Sequence, residues 1–447
     1  MNEKISGISV FAVVSLFFAV SASAQSTGLV KVSNVIEGGA GGVSTARCGN
    51  NIVVGFGDVE PATPSSFNGI SVSKDGGRTF TDIGTLPSFP PPLNPSDSLN
   101  GDQSIVCASS TKFYSVSTST THDDPSGISS NAVAISSSTD GGFIWSTPTV
   151  IDSVTTDIEF LYTPVIAVDP TNPLKLYVAY VIDIFGSGGP CDPQASDVLF
   201  VNSSSDGGKT WIGREQVDVG CGSGGTTPTP TGVTPPSIAV SPGGKVYVAY
   251  GWIGNVFLPP TTRELRFARS LDHGLTFSPP LAVTTDAADN PLPQLAVDRT
   301  TSTHRGTVYL AWSGSPTGTY TDILASESTN FGLAFSFPRP ISRTPAAGTQ
   351  RFQTNPVLAV DNDGEVSACF YQTPHNAPTS SSIYSYDCAM SFNHAATWQT
   401  RQVVSSAAVG YDALTSDFLL HNEGFFTAFE LQASGKRHVV GQKFDLF

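Results

Sequence analysis

Along most of this chain, short apolar runs carrying a polar residue at alternate positions are separated by clusters of Gly, Pro, Asn and Asp. Runs of Val, Ile, Tyr and Phe in that form read as β-strands, and the clusters between them as turns. One phrase recurs: PVIAVDPTNPLKLYVAY from Pro164, PSIAVSPGGKVYVAY from Pro236, PQLAVDRTTSTHRGTVYLAW from Pro293 and PVLAVDNDGEVSACFY from Pro356. Each copy is a strand, a turn and a second alternating strand, which predicts a β-hairpin. A third strand follows and runs into an eight-residue box, as in DVLFVNSSSDGGKTW, and a fourth leaves it, as in REQVDVG. Helical patterns at 3.6-residue spacing are missing.

The box itself repeats six times: SKDGGRTF at Ser73, STDGGFIW at Ser138, SSDGGKTW at Ser204, SLDHGLTF at Ser270, and two worn copies, STNFGLAF at Ser328 and SFNHAATW at Ser391. The start-to-start steps are 65, 66, 66, 58 and 63 residues. Four antiparallel strands in a unit of about 60 residues describe the blade of a β-propeller. After the sixth box the chain continues through another hairpin and a further strand. The N-terminal stretch Leu29–Asn34 has no partner of its own and is expected to pair near Val439–Phe444, closing the ring. The expected fold is therefore all-β, a seven-bladed propeller, with six blades as the alternative.

The box is expected to be structural. Asp75, Asp140, Asp206 and Asp272 can accept hydrogen bonds from backbone N–H groups of a turn, and the last Gly can supply positive φ. Asn330 and Asn393 can still make the turn bond in the worn copies. A catalytic carboxylate would not be needed six times.

Composition narrows the setting. Residues 1–24 carry an apolar stretch and end in Ala22-Ser23-Ala24, the form of a cleaved signal peptide, leaving one propeller domain over 25–447. No later segment is apolar enough to span a bilayer, so a secreted or periplasmic monomer is expected. A net charge of −15 argues against nucleic acid or an anionic membrane as partner. The six cysteines suit an oxidising compartment. Cys191 pairs with Cys221 across Gly-rich loops and Cys369 with Cys388 across a hairpin, with Cys48 and Cys107 as the remainder. There is no CxxC and no nearby His pair for zinc, so no metal or cofactor is expected. His122-Asp123-Asp124 in a Ser-rich loop is weak evidence for a metal or a base.

The boxes resemble the Asp box, or BNR repeat, S-x-D-x-G-x-T-W, over nearly the whole of 25–447. The best-known proteins carrying it are the sialidases, but lectins, other glycan-active enzymes and non-enzymatic propellers carry it too. The resemblance implies an exo-acting glycoside hydrolase with its site at the end of the channel opposite the boxes. A non-catalytic propeller binding glycans or proteins, and a polysaccharide lyase, stay open.

The stretch GYDALTSDFLLHNEGFFTAFE (410–430) looks like the tyrosine segment of sialidases, which makes Tyr411 the implied nucleophile, although Asp412 stands where Ser is usual. Glu159 is the candidate base beside that tyrosine, and Asp58 or Asp102 the candidate proton donor. Sialidases grip the substrate carboxylate with three arginines, because guanidinium–carboxylate pairs fix orientation. Arg47, Arg351 and Arg263 are the candidates here, although the Arg-Ile-Pro of the family is absent, since Cys48 and Gly49 follow Arg47.

Overall fold

A computed structural model describes residues 29–34, 42–59, 66–88, 99–121, 130–154, 158–184, 196–221, 232–254, 262–285, 292–315, 321–342, 351–374, 384–404, 416–421, 424–433 and 436–445. These form seven four-stranded antiparallel sheets, each in simple sequence order except the last. Blades 1 to 6 span 44–85, 99–154, 159–221, 237–284, 294–340 and 352–404. The seventh combines Ser416–His421, Gly424–Ala433 and Lys436–Asp445 with the N-terminal strand Val30–Lys31.

Each blade's first strand lies against the first strands of both neighbours, and that of blade 7 against that of blade 1, so the seven sheets close into a ring. A recurrent bond helps to hold adjacent inner strands: Ser44 Oγ accepts from Ile105 N, Ser104 Oγ from Ile166 N and Ser237 Oγ from Leu295 N. The expected closure is present. Val30 pairs with Gly441 and Lys31 with Val440, and the N–H groups of Val32 and Ser33 both donate to Val439 O. Val32 is 2% exposed and packs with Phe426, Val439 and the strands of blade 1. The core is layered between blades, because successive side chains of a strand point to opposite faces and meet different neighbours. In blade 3, Tyr177, Ala179 and Val181 face blade 4, while Val178, Tyr180 and Ile182 face blade 2.

The boxes lie at the turn between third and fourth strands, beside the turn between first and second: Gly76 N donates to Asn50 O, Gly141 N to Thr111 O and Gly207 N to Leu174 O. The boxes share a cage, most complete where Thr closes it. In blade 3 Asp206 Oδ1 accepts from the N–H groups of Lys209 and Thr210, Ser204 Oγ accepts from Gly208 N, and Thr210 Oγ1 donates to Asp206 Oδ2. Gly208 sits at a φ of 85°, which L-residues rarely adopt. The corresponding bonds recur at Asp75, Asp140 and Asp272, and with an amide oxygen at Asn330 and Asn393.

Cys48 and Cys107, at the ends of adjacent inner strands, form a disulfide with a Cα separation of 5.6 Å, and Cys369 and Cys388 form another across directly paired strands. The expected Cys191–Cys221 bridge lies outside the described side chains. Among the described residues no helix is long and apolar enough to cross a membrane.

Candidate active site

In this meander the starts of first strands and the ends of second strands open on the face opposite the boxes. On that face two groups flank the inner strand of blade 3: Asp102 of blade 2 meets the Thr163 backbone on one side, and Tyr162 stands with Asp183 and Asp197 on the side towards blade 4. Asp102 stands on the inner strand of blade 2 (Leu99–Cys107) and keeps its carboxylate open to solvent. The protein packed around it raises its pKa, opposed by the backbone N–H of Thr163, which donates to Asp102 Oδ2 at 3.2 Å.

Thr163 is an unusual donor. It lies in the inner strand of blade 3 (Glu159–Asp169) at a β-bulge between Tyr162 and Val165, with a φ of 49°. A β-branched residue in the left-handed region is strained, and such strain gathers at functional sites. Its Oγ1 is buried and has no hydrogen-bond partner. Blade 6 carries the matching bulge, with Asn355 at a φ of 51° before Pro356, but there the residue is one that tolerates the conformation.

Next along the chain's path stands Tyr162, whose hydroxyl donates to Val233 O at 3.4 Å. Burial drives its pKa far up, helped by the charges of Asp197 and Asp183. Those two carboxyls face each other across the second and third strands of blade 3, as directly paired residues 6% and 2% exposed. Asp197 Oδ2 accepts from Val233 N at 3.1 Å. Burial raises both, and Asp183 is raised further by the charge of Asp197. The segment 232–234 that supplies Val233 is itself fixed, since Ile253 N donates to Gly232 O and Thr234 N to Gly251 O. It passes so close to blade 3 that a Cβ on Gly220 would lie 2.3 Å from Gly232 Cα.

The residues singled out in the sequence are scattered by comparison. Arg47 is on the other face. It is the penultimate residue of its strand (Ser44–Cys48), and its Nε donates to Gly49 O in the turn beside the first box. Arg47 as a candidate for the substrate-binding face is thus corrected: its strand starts at Ser44 and runs towards the boxes, which leaves Arg47 at the box end. Arg351 does lie at the head of an inner strand, but it serves the seam of blades 5 and 6. Its Nη1 donates to Gln372 Oε1, and its charge partly offsets the burial that raises Asp322 and lifts Asp387 to about 6. Arg263 is the second residue of the third strand of blade 4, opposite Ile253. Arg47 thus lies on a different face from Arg351 and Arg263.

Glu159 begins the blade 3 inner strand and acts on Arg214, whose pKa is raised first by its bond to Asp152. Arg214 grips Asp152 with two bonds of 2.6 and 2.9 Å, and Tyr180 OH donates to the same carboxylate. An equivalent clamp joins blades 3 and 4, where Asp218 takes hydrogen bonds from Tyr250 and Arg266. Glu159 therefore belongs to an inter-blade seam. Asp58 pairs with Phe67 in blade 1, its side chain outside the described part. Tyr411 and His122-Asp123-Asp124 lie outside the described residues. Among those described, no three His, Cys, Asp or Glu side chains gather as metal ligands would.

Sequence reasoning missed Asp183, Asp197 and Thr163. The signal was present: an acidic residue inside an otherwise apolar run, in YVAYVIDI, and another opening the next strand, in DVLFV.

No protein-family model and no curated protein matches the chain. Solved structures do. An α-L-arabinanase from Penicillium chrysogenum, complexed with arabinobiose, aligns over 77% of this chain and 94% of its own at 16% identity and a TM-score of 0.51. An α-L-arabinofuranosidase mutant from Fusarium graminearum, in complex with an iminosugar inhibitor, covers 94% and 98% at 13% identity and 0.53. A protein of unknown function from Dyadobacter fermentans covers 95% and 99% at 13% identity and 0.51. At these identities the likeness is one of fold.

Proposed function

We propose that this chain is an exported glycoside hydrolase whose site lies at the channel mouth above blades 2 and 3, with Asp102 as the proton donor. The observation that carries this reading is the strained Thr163 peptide aimed at a solvent-facing carboxyl of raised pKa. A carboxyl whose pKa is raised by burial can protonate a glycosidic oxygen as the C–O bond breaks, and the resulting carboxylate can then deprotonate water. Tyr411 remains the candidate nucleophile on its sequence context. The two disulfides support export to an oxidising compartment.

A neutral sugar suits the mouth better than an acidic one. Arg47 is on the opposite face and Arg351 is engaged by Gln372 between two carboxyls, so these two arginines do not together clamp a sugar carboxylate. The two fungal enzymes of the same fold, one bound to arabinobiose and one to an iminosugar, make arabinosides the first substrates to try.

The test assays the parent and Asp102→Asn on aryl α-L-arabinofuranosides, arabinobiose and an aryl sialoside, with binding measured alongside. Loss of a general acid lowers kcat by about 100-fold or more with binding retained. Equal rates for the two proteins overturn the role of Asp102. Binding without turnover in the parent makes the chain a glycan-binding propeller instead.

A further inference from the structure

We propose that Asp183 and Asp197 share one proton, and that this protonated pair positions the Tyr162–Thr163 segment that holds Asp102. The inference rests on the reading of Asp102 as the working carboxyl, and it adds the device that sets the alkaline limit of that site.

Two buried carboxyl oxygens in blade 3 lack donors. Asp183 and Asp197 are directly opposed across antiparallel strands, a placement that brings side-chain ends into contact. Asp197 Oδ2 is satisfied by Val233 N, but Oδ1 of each residue is buried with no hydrogen-bond partner. An ionised carboxylate can only accept. Two acceptor oxygens buried together are satisfied at once if one carboxyl keeps its hydrogen and donates it to the other. Two full charges in that place would repel each other and forfeit solvation.

One donor reaches the pair from the inner strand: the Tyr162 hydroxyl, which hydrogen-bonds Asp197 and lowers its pKa against the larger effect of burial, is divided between that carboxyl and Val233 O and leaves Asp183 without a donor. Segment 232–234 (Gly-Val-Thr) contributes no ionisable group. Asp218, two residues before Gly220 opposite Asp197, is committed to Tyr250 and Arg266. Asp102 stands beyond Thr163. No cation figures among the groups that set either carboxyl.

The pair is joined to the working end through one residue. Val233 gives its N–H to Asp197 and takes the Tyr162 hydroxyl on its carbonyl, and Thr163, next in the chain, gives its N–H to Asp102. When the shared proton leaves, a second negative charge appears beside the phenol and competes with Val233 O for its hydrogen. Tyr162 then turns towards the pair, and the strained peptide that follows it no longer holds Asp102. Asp183 and Asp197 are positioning residues in this scheme, since neither need touch substrate.

The test uses the full chain and Asp183→Asn, whose amide donates permanently where the proton did. Asp197→Asn does the same from the other side and serves if the first variant folds poorly. Carboxyl 13C resonances are followed from about pH 5 to about pH 9, and the pH profile of kcat/KM is measured on whichever arabinoside turns over. The Asp102 resonance, assigned by its absence in Asp102→Asn, is expected to show two inflections in the parent, its own and that of the pair. The second inflection is lost in the variant, and the alkaline limb of kcat/KM moves up by about one pH unit or more. Identical titrations of Asp102 in parent and variant overturn the proposal. If no substrate turns over while the second inflection still vanishes in the variant, the hydrolase reading falls and the shared proton stands.

Discussion

At the scale of single residues, the boxes and the mouth use the same side chain in opposite ways. Burial pulls Asp75 upward, but hydrogen bonds from Thr79, Ser73 and Arg78 outweigh it and take its pKa down to about 2. This carboxylate therefore works as a fixed acceptor, and Asp75→Ala is expected to cost about 1–2 kcal/mol, as loss of a capping side chain does. Asp75→Asn should cost less, because Asn330 and Asn393 already hold the same turn with an amide oxygen. Denaturant unfolding of both variants checks the order; an alanine variant as stable as the parent would refute the cage. That role was legible in the sequence because six copies leave little else to read. Arg47 was misplaced because sequence alone does not say at which end of a five-residue strand a residue stands.

At the scale of strands and blades, the repeat period carried most of the information. Box spacing located the third and fourth strands, and the hairpin phrase located the first and second. The surplus hairpin after the last box supplied the seventh blade, and Leu29–Asn34 its missing edge. What the period hid were the departures from it. PVIAV reads as a strand beginning at Pro164, yet the strand continues back to Glu159 across the bulge that strains Thr163. Nothing in the string Tyr-Thr-Pro distinguishes that bulge from an ordinary entry. The disulfides act at this scale too, in unequal measure. Cys48–Cys107 ties two blades across 59 residues, whereas Cys369–Cys388 closes 19 residues within one. In the chain-entropy account the longer loop is worth more by 1.5RT times the logarithm of the ratio, about 1 kcal/mol. Replacing Cys48 and Cys107 by Ser should therefore lower stability by about 1 kcal/mol more than replacing Cys369 and Cys388, as compared by denaturant unfolding. Equal losses would show that strain within the paired strands outweighs loop entropy.

At the scale of the whole molecule, these carboxyls predict how stability follows pH. Asp75 and Asp272 are held near 2, so their contribution is complete above the ordinary carboxylate range and fades as pH falls through about 2. Asp387 is lifted to about 6 and Glu365 to about 7 by burial, and Asp102, Asp183 and Asp197 are raised in the same direction. For a raised acid, the folded state keeps a proton that the unfolded chain releases near pH 4, so stability declines as pH climbs from about 4 to about 7 and then levels. The two groups leave a maximum between about pH 4 and pH 5, on the acid side of most proteins. Self-repulsion in a chain of net charge −15 pushes the same way, so the cause must be separated. Salt does that, because it screens exposed charges and reaches buried ones far less. Melting temperatures from about pH 3 to about pH 9 should keep their decline towards neutrality in about 0.5 M salt. Asp387→Asn, at a site only 4% exposed, should remove about 3 kcal/mol of that decline. A decline that vanishes in salt would assign it to net charge and leave the buried carboxyls without a part in it.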